Sequence, residues 1–298
     1  MVMRMAGKLF GGDGAAAVAF GEDMKKRNDK IAAAIVLRGL AKDGKFAADA
    51  AGGNKETIKS AVESAVGKVS GWLEEMIKAA NEAATKGGTG GDGKIGDSVA
   101  GKKADAGSVK EIAKGIKGIV DAAGKAADGG KGDALKGVTE AGGGEANAKA
   151  GKLFAVGNGG NDAEAVKKAA AAVSAVSGEQ ILKAIVEAAG EKAEQAGAAA
   201  GAAKNPIAAA IGTDDAAEFG EEMKKSNDKI AAAIVLRGLA KDGKFAADVA
   251  GDNKATIKSA VESAVGKVSE WLDEMIKAAG KADGEGKGDA LKGVKEAG

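Results

Sequence analysis

Apolar residues recur three and four positions apart along much of this chain, a spacing that places their side chains on one stripe of an α-helix. Two such stripes are nearly alike, and they contain Ile58, Val62, Ala65, Val69, Trp72 and Met76, and Ile257, Val261, Ala264, Val268, Trp271 and Met275. No segment shows the alternation of apolar and polar residues that is typical of a half-buried strand. The pattern therefore predicts an all-α fold, an elongated helical bundle with long Gly-rich loops.

Polar residues in front of two further stripes predict where helices begin. Ser108 with Glu111, and Ser177 with Gln180, match the capping box, in which two side chains satisfy backbone N–H groups of the first turn. We therefore expect helices to start at the two serines. Their apolar stripes are Val109, Ile112, Ile116, Ile119 and Ala123, and Ile181, Leu182, Ile185 and Val186.

Two shorter motifs predict a brief helix and a turn. Asn205-Pro206 has the order expected of an N-cap and a first helical residue, and Gly212 is expected to end that helix. The Asp43-Gly44 pair predicts a turn that returns Phe46 to the core.

One segment is apolar on nearly every side. Residues 31–37 are Ile-Ala-Ala-Ala-Ile-Val-Leu, and residues 230–236 repeat them without change. A helix that is apolar all round is buried by other helices, so both copies are predicted to be enclosed.

Polar stretches rich in glycine separate the predicted helices. They are residues 86–96, 128–132, 142–144, 157–162 and 282–288. We expect exposed loops there, because loops tolerate insertions and deletions better than packed elements do.

The chain also repeats whole blocks. Residues 21–80 recur as residues 220–279 with seven differences, and residues 6–10 and 132–138 recur as residues 150–154 and 288–294. The spacers are unequal: the first copy lacks 55 residues between its short motif and its long block, and the second lacks 43 residues after its long block. This order is typical of a tandem array read across unit boundaries, so we divide the chain into two partial cassette units, residues 1–144 and 145–298.

Composition and charge argue against several classes of function. Lysine and arginine number 44 and acidic residues 43, and they are interleaved, which disfavours binding to nucleic acid or to an anionic membrane surface. The absence of cysteine and histidine removes disulfides, thiolate catalysis, imidazole bases and zinc sites built from either residue. No run approaches the roughly 18 to 20 apolar residues of a transmembrane helix, and the first residues show no signal-peptide pattern.

A glycine-rich segment imitates a phosphate-binding loop. Residues 88–94, Gly-Thr-Gly-Gly-Asp-Gly-Lys, match its first seven positions. Ile95 replaces the Ser or Thr that would ligate Mg²⁺, and the preceding residues 78–84 are predicted to be helical where the motif requires a strand. An exposed loop is the preferred interpretation.

Other clusters of charge or aromatic residues also favour structural roles. The adjacent acidic pairs are Glu74/Glu75, Glu221/Glu222 and Asp214/Asp215, and the basic clusters are Lys25-Lys26-Arg27 and its weaker copy Lys224-Lys225-Ser226. Neighbouring residues on a helix point in different directions, so we expect these groups to be solvated. Trp72 and Trp271 lie on apolar stripes and are predicted to be core anchors. We therefore predict no catalytic, cofactor-binding or metal site, and no enzymatic activity.

Four long strings resemble one protein family. They are residues 24–46, 109–120, 175–182 and 205–211, for example Asn28-Asp-Lys-Ile-Ala-Ala-Ala-Ile-Val-Leu-Arg-Gly-Leu40, and they are similar to segments of the variable large protein family of Borrelia. The resemblance implies plasmid-encoded, largely helical outer-surface lipoproteins whose variable loops are exchanged from silent cassettes to evade host antibody. Residues 24–46 and 223–245 resemble its most constant and largely buried block.

The resemblance sets the functional expectations. It implies host antibodies as partners, a location on the cell outer membrane, and a lipid anchor on a cysteine that this sequence does not contain. A displayed antigen and the product of an archival cassette array both fit. The alternative is a helical interaction or adhesion module that binds a host or partner protein through the stripes around Trp72 and Trp271. A homodimer is a further expectation.

Overall fold

The computed structural model describes the chain in segments, which carry helices, one 3₁₀ helix and a pair of very short strands. The described residues are 21, 28–40, 59–69, 71, 74, 98–99, 101–127, 133–142, 144–156, 162–191, 196–247 and 252–289. The helices are α1 (Asn28–Leu40), α2 (Ala106–Ala127), α3 (Ala163–Ser174), α4 (Gly178–Gly190), α5 (Pro206–Ile211), α6 (Glu221–Lys224), α7 (Asn227–Leu239) and α8 (Asp252–Asp289). The 3₁₀ helix is Gly144–Phe154, and the strands are β1 (Ser98–Val99) and β2 (Phe245–Ala246).

The all-α prediction is confirmed, with one small addition. β1 and β2 pair in parallel, with Ser98 opposite Phe245 and Val99 opposite Ala246. A strand of two residues leaves no alternation that a sequence could show, so this pairing was not predicted.

The chain forms two compact units. The larger comprises Met76–Asp121 and Ala134–Ile276, and the smaller comprises Met1–Glu75, Ala122–Asp133 and Lys277–Gly298. The larger unit takes residues from both sides of position 144. The division into cassettes at that position concerns sequence blocks and stays a prediction.

Helix α7 lies in the core of the larger unit. It contacts α3, α4, α5 and the 3₁₀ helix. Every residue from Ile230 to Leu236 has an exposed fraction of 0%. The prediction of an enclosed helix is confirmed for this second copy of the apolar run.

Helix α1 has the same thirteen residues as α7 but a different environment. Ile31 is buried, Ala32 and Ala33 are exposed, and Leu37 is 70% exposed. The prediction that both copies are enclosed is therefore wrong for residues 31–37. The repeats give the reason, because α3, α4 and α5 lie in the stretch from which the first copy lacks 55 residues.

The long stripe of the second copy faces the core of the larger unit. Ile257, Val261 and Ala264 are 0% exposed, and Val268 is 3% exposed. Trp271 packs against the same core, which confirms its role as a core anchor. In the first copy, residues 59–69 are helical and Val62 is buried. Ile58, Trp72 and Met76 lie outside the described residues, as does the side chain of Met275.

Two of the three predicted helix starts are confirmed. Ser177 and Gln180 form both hydrogen bonds of the capping box at the start of α4. Asn205 caps α5, with Pro206 in the first turn and Gly212 at the end.

The predicted start at Ser108 is wrong. Helix α2 begins at Ala106, and the Asp105 Oδ1 atom accepts the backbone N–H of Ser108 at 2.7 Å. Asp105 is an equally good cap three residues earlier, which leaves Ser108 inside the first turn. The Ser108 hydroxyl instead accepts the backbone N–H of Lys241 at 3.0 Å.

One predicted loop is helical. Residues 282–288 lie within α8, so the loop prediction is wrong there. A glycine in a helix is unfavourable by only about 1 kcal/mol relative to alanine, and extending an existing helix needs no new nucleus. Residues 86–96, 128–132 and 157–161 lie outside the described residues, as do Asp43-Gly44 and Phe46. In the second copy, Asp242 has a φ of 63° and Phe245 is buried, as a turn back to the core requires.

Candidate functional site

Arg237 is a charged side chain sealed inside the larger unit. It lies in the last turn of α7 and is 0% exposed. Its guanidinium donates hydrogen bonds to the backbone oxygens of Lys102 at 2.6 Å, Ala210 at 3.0 Å, Lys244 at 3.0 Å and Ile211 at 3.4 Å. These oxygens belong to the segment after β1, the end of α5 and the residue before β2.

Aromatic rings complete the surroundings of this arginine. The guanidinium carbon lies 5.5 Å from the ring centre of Phe154 and 5.9 Å from that of Phe245. Burial lowers the pKa of Arg237 to about 9, so the group is still charged at neutral pH. Carbonyl dipoles, two of them at the C-terminal end of α5, stabilise the charge. The group is closed off from solvent, so we interpret it as a clamp on three chain segments.

Gly212 makes room for the clamp. Its φ is 73°, and a Cβ atom there would lie 2.7 Å from Nη1 of Arg237 and 2.9 Å from the backbone oxygen of Phe154. A side chain at this position would be strained by its backbone angle and would also displace the guanidinium.

A second buried polar cluster lies at the start of α7. The Asn147 side-chain amide donates to Oδ1 of Asn227 at 2.8 Å. The carboxylate of Asp228, which is 2% exposed, accepts the backbone N–H groups of Lys229 at 2.9 Å and Ala141 at 3.2 Å. Burial raises the pKa of Asp228, and the nearby charge of Glu140 adds to this effect. The two clusters fix both ends of α7.

The acidic pairs proposed from sequence do not converge on a cleft. Glu221 and Glu222 are exposed on α6, and the Glu221 carboxylate lies 2.6 Å from Lys224 and 3.6 Å from Lys225. The hydrogen bond from Lys224 lowers the pKa of Glu221. These pairings leave the two lysines no separate cationic patch.

The remaining acidic candidates are likewise at the surface. Asp214 pairs with Lys103 at 3.0 Å. Asp215 and Glu74 are exposed, and Glu75 lies outside the described residues. Among the residues that the structure describes, no group of three or more acidic side chains is placed to hold a metal ion. Residues 88–94 and 25–27 lie outside that part of the chain.

An open groove runs between α3 and α8 in the larger unit. Its volume is about 430 Å³. The lining residues are Ala170, Val173, Ser174, Ala255, Thr256, Ser259, Ala260 and Ser263. These are small apolar and hydroxyl side chains, so the groove has no charged group that could orient a ligand or activate a nucleophile.

A helix must be both long and apolar to cross a bilayer. Within the described segments, no single helix is both long and apolar enough to cross a membrane. α3 and α4 reach the required length and composition only as a pair, with a bend of 102° between them. The apolar faces of both helices belong to the core of the larger unit.

Sequence reasoning missed both polar clusters, although it had a usable signal. Asn227, Asp228 and Arg237 flank a run that was predicted to be enclosed. A polar group that enters the core with such a run must find hydrogen-bond partners there. That rule predicts partners for these residues but not which segments supply them.

In the part of the chain that the structure describes, polar clusters are buried at both ends of α7 and ion pairs lie at the surface, within a mostly helical protein. The family described as Borrelia lipoprotein matches residues 5–80 and, in a second match, residues 69–282. The chain belongs to this family, so the resemblance found in the sequence is confirmed.

Named relatives include two variable large proteins of Borrelia hermsii. Variable large protein 4 is 38% identical over 229 residues, which cover 74% of this chain and 61% of the relative. Variable large protein 17 is 36% identical over 233 residues, with coverage of 74% and 60%. This chain thus spans about three fifths of the length of these curated relatives.

A solved structure is also similar. It is the crystal structure of the Lyme disease variable surface antigen VlsE of Borrelia burgdorferi, with 47% sequence identity and a TM-score of 0.64. The match covers 81% of this chain and 82% of that one.

Proposed function

We propose that this chain is an antigenically variable surface protein, or a cassette fragment of one, that serves in the evasion of host antibody without catalysis. The observation that carries the proposal is the contrast between core and surface in the larger unit. α7 is 0% exposed from Ile230 to Leu236, whereas Lys136, Thr139 and Glu140 on a nearby connection are exposed. Exposed connections can change while the core stays constant, because surface substitutions away from packed features alter stability little.

The comparisons support this proposal through the names of the relatives. Two are called variable large proteins and a third is called a variable surface antigen. Host antibodies are the proposed partners, and the cell outer membrane is the proposed location, with a lipid anchor as in the family's description. The 298 residues contain no cysteine to which a lipid could be attached.

The cassette units are part of the same proposal. Residues 1–144 and 145–298 would each derive from an incomplete copy of one coding unit. The family description matches the chain twice, as repeated coding blocks would, although the second match, residues 69–282, runs across position 144.

The alternative function, a helical adhesion module, has less support. It rests on partner binding through the stripes around Trp72 and Trp271. Trp271 packs against the protein's own core, which leaves less of its ring for a partner. A homodimer stays a prediction, to be tested by sedimentation at several protein concentrations.

Display can be tested on intact spirochaetes. Protease added outside the cells should remove the chain, as it removes other surface proteins, while a periplasmic marker stays intact. Full protection, with no transcript that joins this sequence to a lipidation signal, would assign the chain to an archival array.

Antibody recognition can be tested on the folded protein. Joint replacement of Lys136, Thr139 and Glu140 by alanine should abolish the binding of those antibodies, raised against the folded chain, that recognise this connection. The buried substitution Ile234→Val is the matched control and should leave binding unchanged. Equal binding to both variants would contradict a role for this connection as an epitope.

A further inference from the structure

The helices α1 and α7 have identical sequences. The described residues contain one site that encloses such a helix. That site, here called the cradle, consists of the 3₁₀ helix, α3, α4 and α5, which contact α7. α1 has the same sequence as α7, Asn-Asp-Lys-Ile-Ala-Ala-Ala-Ile-Val-Leu-Arg-Gly-Leu, and leaves Leu37 70% exposed. One of the two helices must always be outside the cradle.

The cradle has little means to distinguish the two copies. Asn28 corresponds to Asn227, Arg38 to Arg237 and Phe46 to Phe245, so the first copy has the side chains that meet Asn147 and Phe154. Between residues 220 and 248 the copies differ only at Glu222 and Ser226. Glu222 is exposed, and the side chain of Ser226 forms no cap hydrogen bond with α7. Selectivity requires a difference in contacts, and these positions supply almost none.

The similarity continues into the next helix. Residues 58–77 repeat residues 257–276 except at Gly71, which corresponds to Glu270, and Glu74, which corresponds to Asp273. The apolar stripe of the second copy is buried in the larger unit. The first block precedes the cradle in the chain, and the second follows it. A seated first block would therefore be joined to β1 by the 20 residues between Ile77 and Ser98. A seated Ile77 would take the place of Ile276, while β1 pairs with β2, which lies just before α8 in the chain. The 20 residues can span about 66 Å, and α8 from Asp252 to Ile276 is about 36 Å long, so the connection can reach from one end of this helix to β1.

We propose that residues 21–77 are a second occupant of the cradle and exchange with residues 220–276 of the same chain. In one form the second block is buried and the first lies outside, as in this structure. In the other form the two blocks change places, with the same helices and the same core. The chain thereby presents two different surfaces from one sequence.

Exchange within one chain is favoured over exchange between chains. A tethered segment has an effective concentration in the millimolar range. A swap between two chains would still leave one core helix per cradle outside, so association gains no additional burial from it.

The second block occupies the cradle in this structure, so the exchanged form is the minority. Gly71 in the first block replaces Glu270 in α8, but both positions are helical. The cost of a glycine inside a helix is therefore present in either form and does not bias the exchange.

Cross-linking in the full chain can detect that minority, because the protein has no cysteine of its own. The variant N147C/N227C, treated with a mild thiol oxidant, reports the observed form through a disulfide. The variant N147C/N28C reports the exchanged form, and N147C/E63C measures random collision, since Glu63 and its counterpart Glu262 are both exposed. We expect N147C/N28C to give an intramolecular product at least tenfold above N147C/E63C. A yield at the E63C level, while N147C/N227C reacts, would overturn the proposal, as would a product that is only dimeric.

Destabilising one occupant should move the equilibrium. Ile234→Asp places a charge in the core and should raise the N147C/N28C yield at least tenfold, while the folded larger unit persists. Ile35→Asp, in the smaller unit, should leave the larger unit folded and remove that product. The double variant should lose cooperative unfolding. If Ile234→Asp unfolds the chain as completely as the double variant, the first block cannot replace the second and the proposal fails.

Discussion

Gly212 has no side chain and thereby leaves space for the buried guanidinium of Arg237. It combines a positive φ with two close neighbours, whereas Gly137 has a φ of 89° and nothing within 4 Å of a Cβ atom. We expect Gly137→Ala to destabilise the chain by about 1 kcal/mol through backbone strain alone. Gly212→Ala adds a clash with Arg237 and should lower the free energy of unfolding by about 3 kcal/mol or more. Equal effects in urea denaturation would contradict the proposed contact.

Asp228 should make stability depend on pH. Burial places its folded pKa above its unfolded value, which is near 3.9. The favourable contribution of the protonated form is complete below that unfolded value and is lost as pH rises through the folded pKa. The Asp228→Asn variant has no carboxylate to ionise in the core. Its free energy of unfolding relative to that of the wild type should therefore increase from about pH 4 to pH 7. Urea titrations across this range test the trend.

The matched control for that experiment is Asp29→Asn, at the corresponding position of α1. It should show no pH-dependent difference of this kind in the larger unit. If the stability of Asp228→Asn relative to the wild type decreased toward neutral pH, the raised pKa of Asp228 would be contradicted.

Residue-level features were predictable where their partners are close in sequence. Ser177 meets Gln180 three residues later, and Asn205 is followed by Pro206, so local rules were sufficient. Arg237 meets Lys102, whose position 135 residues away only the tertiary fold determines. A sequence can show that such a group needs partners, but distant segments supply them.

At the scale of elements, the cap of α4 can be tested directly. Ser177→Ala removes the hydroxyl that accepts the N–H of Gln180 and should lower stability by about 1 kcal/mol. Ser177→Asp retains an acceptor and should restore most of the loss. Thermal unfolding of both variants is the measurement, and an alanine variant as stable as the wild type would show that the box contributes nothing.

Element boundaries also show why repeats do not determine environment. The helical stripe of α8 and the run in α7 were predicted from spacing, because 3.6-residue periodicity survives in any context. The burial of α1 was predicted from the same run and was wrong. The helices that enclose α7 have no described counterpart around α1, so identical residues pack differently.

At the scale of the whole molecule, hydrogen exchange should distinguish the two copies. α1 and α7 have identical sequences and therefore identical intrinsic exchange rates, so any difference reports packing. Peptides that include Arg27 or Ser226 differ in mass and can be assigned to one copy. We expect the α7 peptide to exchange at least tenfold more slowly than the α1 peptide. Equal protection would mean that both helices are enclosed alike in solution.

The unequal packing of the two helices also determines how fast their sequences should diverge after copying. Replacing Leu236 by a polar residue would open the core, whereas the outward side chain of Leu37 loses little by the same change. Random drift should therefore erase Leu37 and its exposed neighbours first. Both helices are still letter-for-letter identical. Either the copying event is younger than the time that drift needs at a solvent-facing site, or the exchanged form also holds the first helix constant. Sister lineages that inherited both copies should show their first divergence in residues 32–37.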